Sequence, residues 1–222
     1  MFKIYHFDKV NSTIDKAKEF DVNSVIIANE QIKGKGRFKR SWSSSKGGIY
    51  MSIVLKKTNP SYLTFIAAIS AFKSIKDVYN LKTIIKWPND LIYNGKKVCG
   101  ILTKVSDKSI VGIGINTNNK IPSSLKNKAI SLSEIIGKET NNKLIINKLL
   151  KHFEKYFKLL KNKKYSKIIN DWKKYSFLGS KVKVKTLGKT YTGIAHDVDE
   201  DCFLIIKTKD KKITIREGDI SV

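Results

Sequence analysis

The chain of 222 residues predicts an α+β fold: a mixed β-sheet carrying helices, followed by a small closed β-barrel. Three observations carry this reading. Short apolar strand patterns surround one long segment of helical spacing in the first half. Helical segments then cluster between about Ser131 and Tyr175. After Phe177-Leu178-Gly179 the chain turns to short alternating strands broken by glycine and acidic turns, a pattern that suits a small barrel. This change of character divides the chain into residues 1–177 and 178–222.

Phe2–Phe7 reads as a strand, and Ser12-Thr13-Ile14-Asp15 as a capping box opening a helix to about Phe20. Ser24–Ala28 is a short buried strand, and Ile49–Lys56 another. Leu63–Tyr79 repeats apolar residues at helical spacing. Thr83–Lys86 and Leu91–Tyr93 are strand-like, with Asn94-Gly95 as the hairpin turn into Lys97–Val105. A strand over Ser109–Asn116 and a loop over Asn118–Lys128 follow. Helices are expected over Ser131–Ile136, Lys143–Leu160 and Tyr165–Tyr175. The last four strands are Lys181–Thr186, Thr190–Asp197, Phe203–Thr208 and Lys211–Arg216.

Hydrophobic content of 41% fits a globular domain, not a disordered tail. No apolar run is long enough to span a bilayer, and the N-terminus lacks the apolar segment of a signal peptide. Two distant cysteines, Cys99 and Cys202, show no metal-ligand spacing, so the expected compartment is a reducing cytoplasm. Cys99 lies in an apolar strand and reads as a small core residue; His6, His152 and His196 are scattered and read as surface or packing residues. The net charge of +25 would ordinarily suggest nucleic acid, but its lysines spread along the whole chain, as compositional drift would produce.

Against that background, Gln31-Ile32-Lys33-Gly34-Lys35-Gly36-Arg37-Phe38-Lys39-Arg40-Ser41-Trp42 stands out. Of 44 basic residues only Arg37, Arg40 and Arg216 are arginine, and two of the three fall in this loop. A guanidinium matches phosphate or carboxylate bidentately, which an ammonium cannot. Gly34 and Gly36 allow close approach of backbone to a ligand. A second cluster is Lys86-Trp87-Pro88-Asn89-Asp90, where Pro88 ends a strand and aims Asn89 and Asp90 at a sheet edge. Read alone, it is a turn with a buried tryptophan. Seven residues beyond Asp90, Lys97 heads the apolar run Val98-Cys99-Gly100-Ile101-Leu102. Gly112-Ile113-Gly114-Ile115-Asn116 ends another apolar strand on an amide.

In this order, these pieces resemble a biotin protein ligase over nearly the whole chain. The resemblance implies a catalytic domain of the class II aminoacyl-tRNA synthetase type and an SH3-like C-terminal barrel. It implies ATP-dependent formation of biotinyl-5′-adenylate, followed by transfer to a lysine of a biotin carboxyl carrier protein, with Mg²⁺ accompanying ATP. No covalent enzyme intermediate is implied, in agreement with a chain lacking a nucleophile–base arrangement.

By analogy Ser12, Thr13 and Gln31 meet the ureido ring of biotin, Ser12 having an N-cap role as its alternative. Gly34, Lys35, Gly36 and Arg37 close over the carboxylate and α-phosphate, and Gly100 and Ile101 line the biotin slot. Lys97 and Arg37 are the expected catalytic residues. Arg40, Trp42, Asn89, Asp90 and Asn116 belong to the ATP side, Trp42 having a core position as its alternative. No metal ligand is assigned. Many relatives carry Arg at the place of Lys35 and Gly at that of Lys39, so a weaker binder is expected. The chain starts directly at the ligase domain, so no DNA binding is expected. Oligomeric state stays open, with a homodimer among the alternatives. The competing readings are a lipoate or octanoate ligase of the same fold and a non-enzymatic basic RNA-binding module.

Overall fold

The computed structural model describes residues 2–221. Seven strands form one mixed sheet: β1 (Lys3–Val10), β2 (Ser24–Gln31), β3 (Ile49–Lys56), β4 (Ile84–Lys86), β5 (Asp90–Tyr93), β6 (Lys96–Val105) and β7 (Lys108–Ile115). Their order is β1-β2-β3-β7-β6-β5-β4, with only the β1–β2 pair parallel. The strands are rich in Ile and Val, which suit a pleated surface covered on one face. Along β3, Ile49, Met51, Ile53 and Leu55 join the main core, whereas Val54 joins Ile14, Ala17, Ile26 and Ile110 on the opposite face.

Helix α2 (Pro60–Tyr79) covers the main-core face, packing on β6 and β7. Pro60 stands at its first turn, Asn59 caps it through a bond from the Ser61 N–H, and Asn80 ends it in a left-handed conformation at φ 51°. Helix α4 (Asn142–Lys161) lies over α2 with Ile145, Leu149, Phe153, Tyr156 and Leu160 inward. Helix α5 (Tyr165–Lys174) buries Trp172, whose ring stacks on Phe65 at 4.3 Å. The short helix α3 (Leu132–Ile136) is capped by Ser131.

On the other face lies α1 (Thr13–Lys16), continued by a 3₁₀ turn to Glu19. Ser12 occupies the N-cap position but its hydroxyl makes no capping bond, and Asp15 pairs instead with Lys18 and Lys35, so the expected capping box does not form.

The C-terminal strands are β8 (Lys181–Lys185), β9 (Thr190–Val198), β10 (Leu204–Lys207), β11 (Lys212–Ile215) and β12 (Asp219–Ser221). They form an antiparallel sheet ordered β11-β10-β9-β8-β12. The expected closed barrel is therefore corrected: among the described residues, edge strands β11 and β12 do not pair. Yet only Arg216, Glu217 and Gly218 join these two edges. A flat five-stranded sheet is roughly 19 Å wide, while a link this short reaches roughly 14 Å. The sheet must curl, so it rolls like a barrel whose seam is covalent and not hydrogen-bonded. The Trp87 indole donates to the Cys202 carbonyl at 2.9 Å and the Tyr62 hydroxyl donates to the Glu200 carbonyl, tying this sheet to the larger one.

Candidate functional site

The site is built on the sheet face that carries α1. Here Gly100 of β6 pairs with Gly114 of β7, and Leu102 with Gly112. A Cβ at Gly114 would lie 2.5 Å from Trp42 Nε1, and one at Gly100 2.7 Å from Trp42 Cζ3. The missing side chains let the indole rest directly on the strand backbones. Ile14 covers Gly112 in the same way. The Trp42 Nε1 is buried and has no hydrogen-bond partner.

One side of this floor is a continuous hydrogen-bond chain. Ser52 Oγ donates to Thr13 Oγ1 at 2.9 Å, and Thr13 donates through both its N–H and its hydroxyl to Gln31 Oε1 at 2.8 and 3.1 Å. Gln31 Nε2 donates to Ser44 Oγ at 2.8 Å, and Ser44 donates to the Trp42 carbonyl at 3.0 Å. Polar side chains so paired are held in one geometry at little net desolvation cost. Beside them the Ser12 hydroxyl is buried without a partner.

On the other side, a register shift in the β5–β6 hairpin decides where Lys97 points. Leu91 pairs with Cys99 but Ile92 pairs with Lys97, leaving Val98 as an extra residue. In a regular strand, residues three apart face opposite ways. The bulge restores the phase, bringing Lys97 to the face of Gly100 and Leu102. Its ammonium lies 2.8 Å from Asp90 Oδ2, while Asp90 Oδ1 is buried without a partner. Asn89 Nδ2 donates to the Ile101 carbonyl at 2.8 Å, and Asn89 Oδ1 accepts from Arg37 Nη1 at 3.3 Å.

The basic loop closes over this arrangement. Gly36 N–H donates to the Arg40 carbonyl at 2.7 Å and Trp42 N–H to the Gly34 carbonyl at 2.9 Å. Phe38 and Lys39 turn the chain at φ 53° and 59°, a left-handed region that favours glycine. Several cations at the site have an oxygen partner. Lys35 pairs with Asp15, Arg40 binds both oxygens of Asp219, and Arg37 Nη2 lies 3.7 Å from Glu217. Lys86 donates to the Ile220 carbonyl at 3.0 Å. The Arg40 fork holds the Asp219 carboxyl below the usual carboxylate range, and Asp219 in turn pushes Arg40 up. Burial lowers Arg37 and Lys86 against the pull of neighbouring carboxylates, though a guanidinium stays charged throughout.

Two adjoining cavities result. A cavity of about 140 Å³ lies over the glycine floor, and a chamber of about 740 Å³ opens beside it toward the C-terminal sheet. The smaller is lined by twelve of the residues singled out in the sequence: Thr13, Gln31, Lys35, Gly36, Arg37, Arg40, Trp42, Asn89, Asp90, Lys97, Gly100 and Ile101. Asn116 lines the larger, where it accepts from Asn119 at 3.2 Å. Ser12 and Gly34 are not in the lining of either cavity; Ser12 precedes the lining residue Thr13, and any side chain at Gly34 would collide with Ser44.

Sequence reasoning missed Ser44, Ser52, Asp15, Glu217 and Asp219 as site residues, and it picked out the motifs holding Lys86, Gly112 and Gly114 without giving these three a role. The alternating glycines of β7 carried a signal; a carboxylate reaching the loop across 179 positions did not. Among the described residues, no group of three His, Cys, Asp or Glu side chains could hold a metal ion, and no helix is long and apolar enough to cross a membrane.

The chain is similar to known proteins over nearly its whole length. Residues 6–118 match the biotin/lipoate A/B protein ligase family, and residues 177–222 match the biotin protein ligase C-terminal domain. The chain is 33% identical to the bifunctional ligase/repressor BirA of Bacillus subtilis, over 99% of this chain and 73% of that protein. It is 26% identical to the biotin–[acetyl-CoA-carboxylase] ligase of Mycobacterium tuberculosis, over 88% and 77%. It superposes on the biotin protein ligase of Aquifex aeolicus solved with biotin and ATP at a TM-score of 0.91, with 31% identity, covering 98% of this chain and 97% of that one.

Proposed function

This chain belongs to the biotin protein ligases of the biotin/lipoate A/B protein ligase family, and from that premise we propose how its own residues divide the work. The enzyme activates biotin with ATP and passes it to a carboxylase carrier protein. In the first step a carboxylate oxygen of biotin bonds to the α-phosphorus, and the bond to pyrophosphate breaks with its electron pair leaving on pyrophosphate. In the second, the carrier's ε-amine attacks the mixed anhydride carbonyl. The carbonyl–oxygen bond to AMP breaks, and the amine proton passes to solvent.

The observation that carries the residue assignment is Lys97, turned by the bulge onto the glycine floor and tethered by Asp90, with Arg37 close behind through Asn89. Two attached cations at the meeting point of the cavities suit the charge that develops when carboxylate and phosphate join. Preorganised charges of this kind stabilise a transition state without a covalent intermediate.

The smaller cavity suits the biotin rings. Gly100, Ile101 and Trp42 offer apolar surface, and Thr13 and Gln31 offer fixed polar groups. The buried, unpartnered Ser12 hydroxyl next to them supports a ureido contact. Gly34 and Gly36 allow the loop to cross over, and Lys35 reaches the same mouth. The larger chamber suits the nucleotide, with Arg40, Trp42, Asn89, Asp90 and Asn116 on its walls. Trp42 borders both.

Asp90 Oδ1 is a buried oxygen with no partner, a donor of the type Mg²⁺ takes. Asp90 would hold the ion together with phosphate and water; the ion would supply charge neutralisation on the phosphates. Division of the chain at residues 177 and 178 fits this scheme, since Asp219 and Ile220 of the C-terminal sheet wall the nucleotide chamber.

Transfer of labelled biotin to a purified carrier domain, with ATP and Mg²⁺, tests the reading. Pyrophosphate exchange should depend on biotin and ignore lipoate. Absence of both transfer and exchange overturns it.

A further inference from the structure

The smaller cavity ends at Ile14, whose side chain takes part in neither the hydrogen-bond chain nor the charged cluster. Ile14 lines the cavity together with Gly112, Leu102 and Trp42. It is only 4% exposed. A Cβ at Gly112 would lie 2.5 Å from Ile14 Cδ1 and 2.7 Å from Ile14 Cγ1. The glycine therefore leaves a niche in the floor, and the end of the isoleucine side chain fills it.

This stop is rigid. Behind it, Ile14 packs with Ala17, Ile26, Val54 and Ile110 in the small core on this face of the sheet, and Leu102 packs on the same group. Isoleucine branches at Cβ, so its χ1 has little freedom on a helix. The turn itself is fixed, since the Thr13 N–H donates to Gln31 Oε1 at 2.8 Å and the Lys16 N–H to the Ser12 carbonyl at 2.9 Å. Thr13 and Ile14 are consecutive on this turn. One element thus presents a polar contact and an apolar stop at a set spacing.

Polarity decides which part of the ligand meets the stop. The fused head of biotin carries a urea along one edge and a thioether ring along the other. The urea is suited to the polar wall of Thr13 and Gln31. On the sheet face that carries α1, the apolar surface left for the other edge comes from Ile14, Leu102 and Trp42, with Gly112 among them. A thioether has no donor and accepts only weakly, so it gives up little against such a surface. A urea placed there would stay unpaired, at the full cost of its desolvation.

We propose that Ile14 is a specificity-determining residue: its Cδ1 methyl, seated over Gly112, sets the depth of the slot and rejects acids whose ring system is larger than that of biotin on the thioether side. This deepens the ligase reading and rests on it. Thr13 and Gln31 read the urea, and Ile14 reads size. One methylene more or less in an apolar pocket changes discrimination by roughly 10–200-fold, so a single methyl group of isoleucine is enough.

The test measures biotin-dependent pyrophosphate exchange by the full chain, comparing biotin with an analogue methylated on the ring methylene carbon beside sulfur. Wild type should favour biotin in kcat/KM by about tenfold or more. Ile14→Val deletes Cδ1 alone and should shrink that preference to about twofold. Gly112→Ala puts a methyl group where Ile14 Cδ1 and Cγ1 now lie, and should raise the KM for biotin about tenfold. Ile14→Ala removes both atoms, and combined with Gly112→Ala it should recover most of that loss. An unchanged preference in Ile14→Val overturns the proposal, whether or not its overall rate falls, because Ile14 would then serve packing alone. A double variant no better than Gly112→Ala also overturns it. Absence of exchange in wild type with biotin would instead defeat the ligase reading itself, so the two failures are distinguishable.

Discussion

Lys97 and Asp90 face each other at 2.8 Å across a hairpin whose register is broken between them by one extra residue, Val98. Without that bulge Lys97 would share the phase of Cys99's neighbours in the core, and the site would lose its central cation. Lys97→Met should therefore lower biotin-dependent pyrophosphate exchange about 10²–10³-fold, the usual cost of one preorganised charge contact. It should also leave the Asp90 carboxylate buried and unpaired. Lys97→Met combined with Asp90→Asn should then be more thermally stable than Lys97→Met alone. Near-normal exchange in the single variant would reduce Lys97 to an ordinary strand residue.

Gly114→Ala tests the glycine floor. A methyl group 2.5 Å from Trp42 Nε1 must displace either the indole or a central strand. Overpacking of this type costs roughly 1–3 kcal/mol, which corresponds to about 5–150-fold in affinity. Biotin Kd, measured by calorimetry, should rise within that range, with a smaller change for ATP alone. Equal weakening of both ligands would mean the floor serves no single subsite.

Much of this was legible in the sequence. The long helix over Leu63–Tyr79 announced itself by apolar spacing, and a second was expected over Lys143–Leu160, although their starts at Pro60 and Asn142 were not read. Asn94-Gly95 announced itself by its turn chemistry, with φ 46° and 76° at the two residues. Lys86-Trp87-Pro88-Asn89-Asp90 and the basic loop located the site because both are local. β12 was not legible: three residues of Asp-Ile-Ser carry no periodicity and gain their identity from pairing with β8. The Ser12 capping box failed because Asp15 found stronger partners in Lys18 and Lys35. Long-range pairs such as Arg40–Asp219 leave no trace in spacing at all, and a seam that closes through the chain looks, in sequence, the same as one closed by hydrogen bonds.

The Arg40–Asp219 pair should make stability depend on pH. Asp219 titrates below its ordinary value because Arg40 binds its charged form. Its contribution is complete above the unfolded value of about 3.9 and is lost as pH falls through the lower folded value. Asp219→Asn removes that charge. The gap in Tm between wild type and Asp219→Asn should be constant from neutrality to about pH 5 and close toward about pH 2. A gap unaffected by acid would show that the pair adds nothing to the folded state.

Cys99 and Cys202 offer a test of the core. Both thiols are buried, and burial pushes both well above the usual range, so neither forms thiolate near neutrality. A thiol-specific reagent at about pH 8 should label neither in the native enzyme and both after denaturation. Rapid native labelling of Cys99 would mean that β6 opens locally.

Arg37 separates making the adenylate from keeping it. Its guanidinium is half-buried between Asn89 and Glu217, at the junction of the two cavities, where it can close over an anhydride already formed. Lys97 is anchored independently by Asp90, so the charge needed for the first step does not rest on Arg37 alone. Arg37→Gly should still synthesise biotinyl-adenylate but release it early, labelling lysines of an unrelated protein mixed with the enzyme, biotin and ATP. Arg37→Lys keeps the charge and loses the fork, so it should fall between the variant and wild type if geometry matters. Stray biotinylation read by blotting decides the matter: adenylate formation by Arg37→Gly without added labelling would remove the retention role from this arginine.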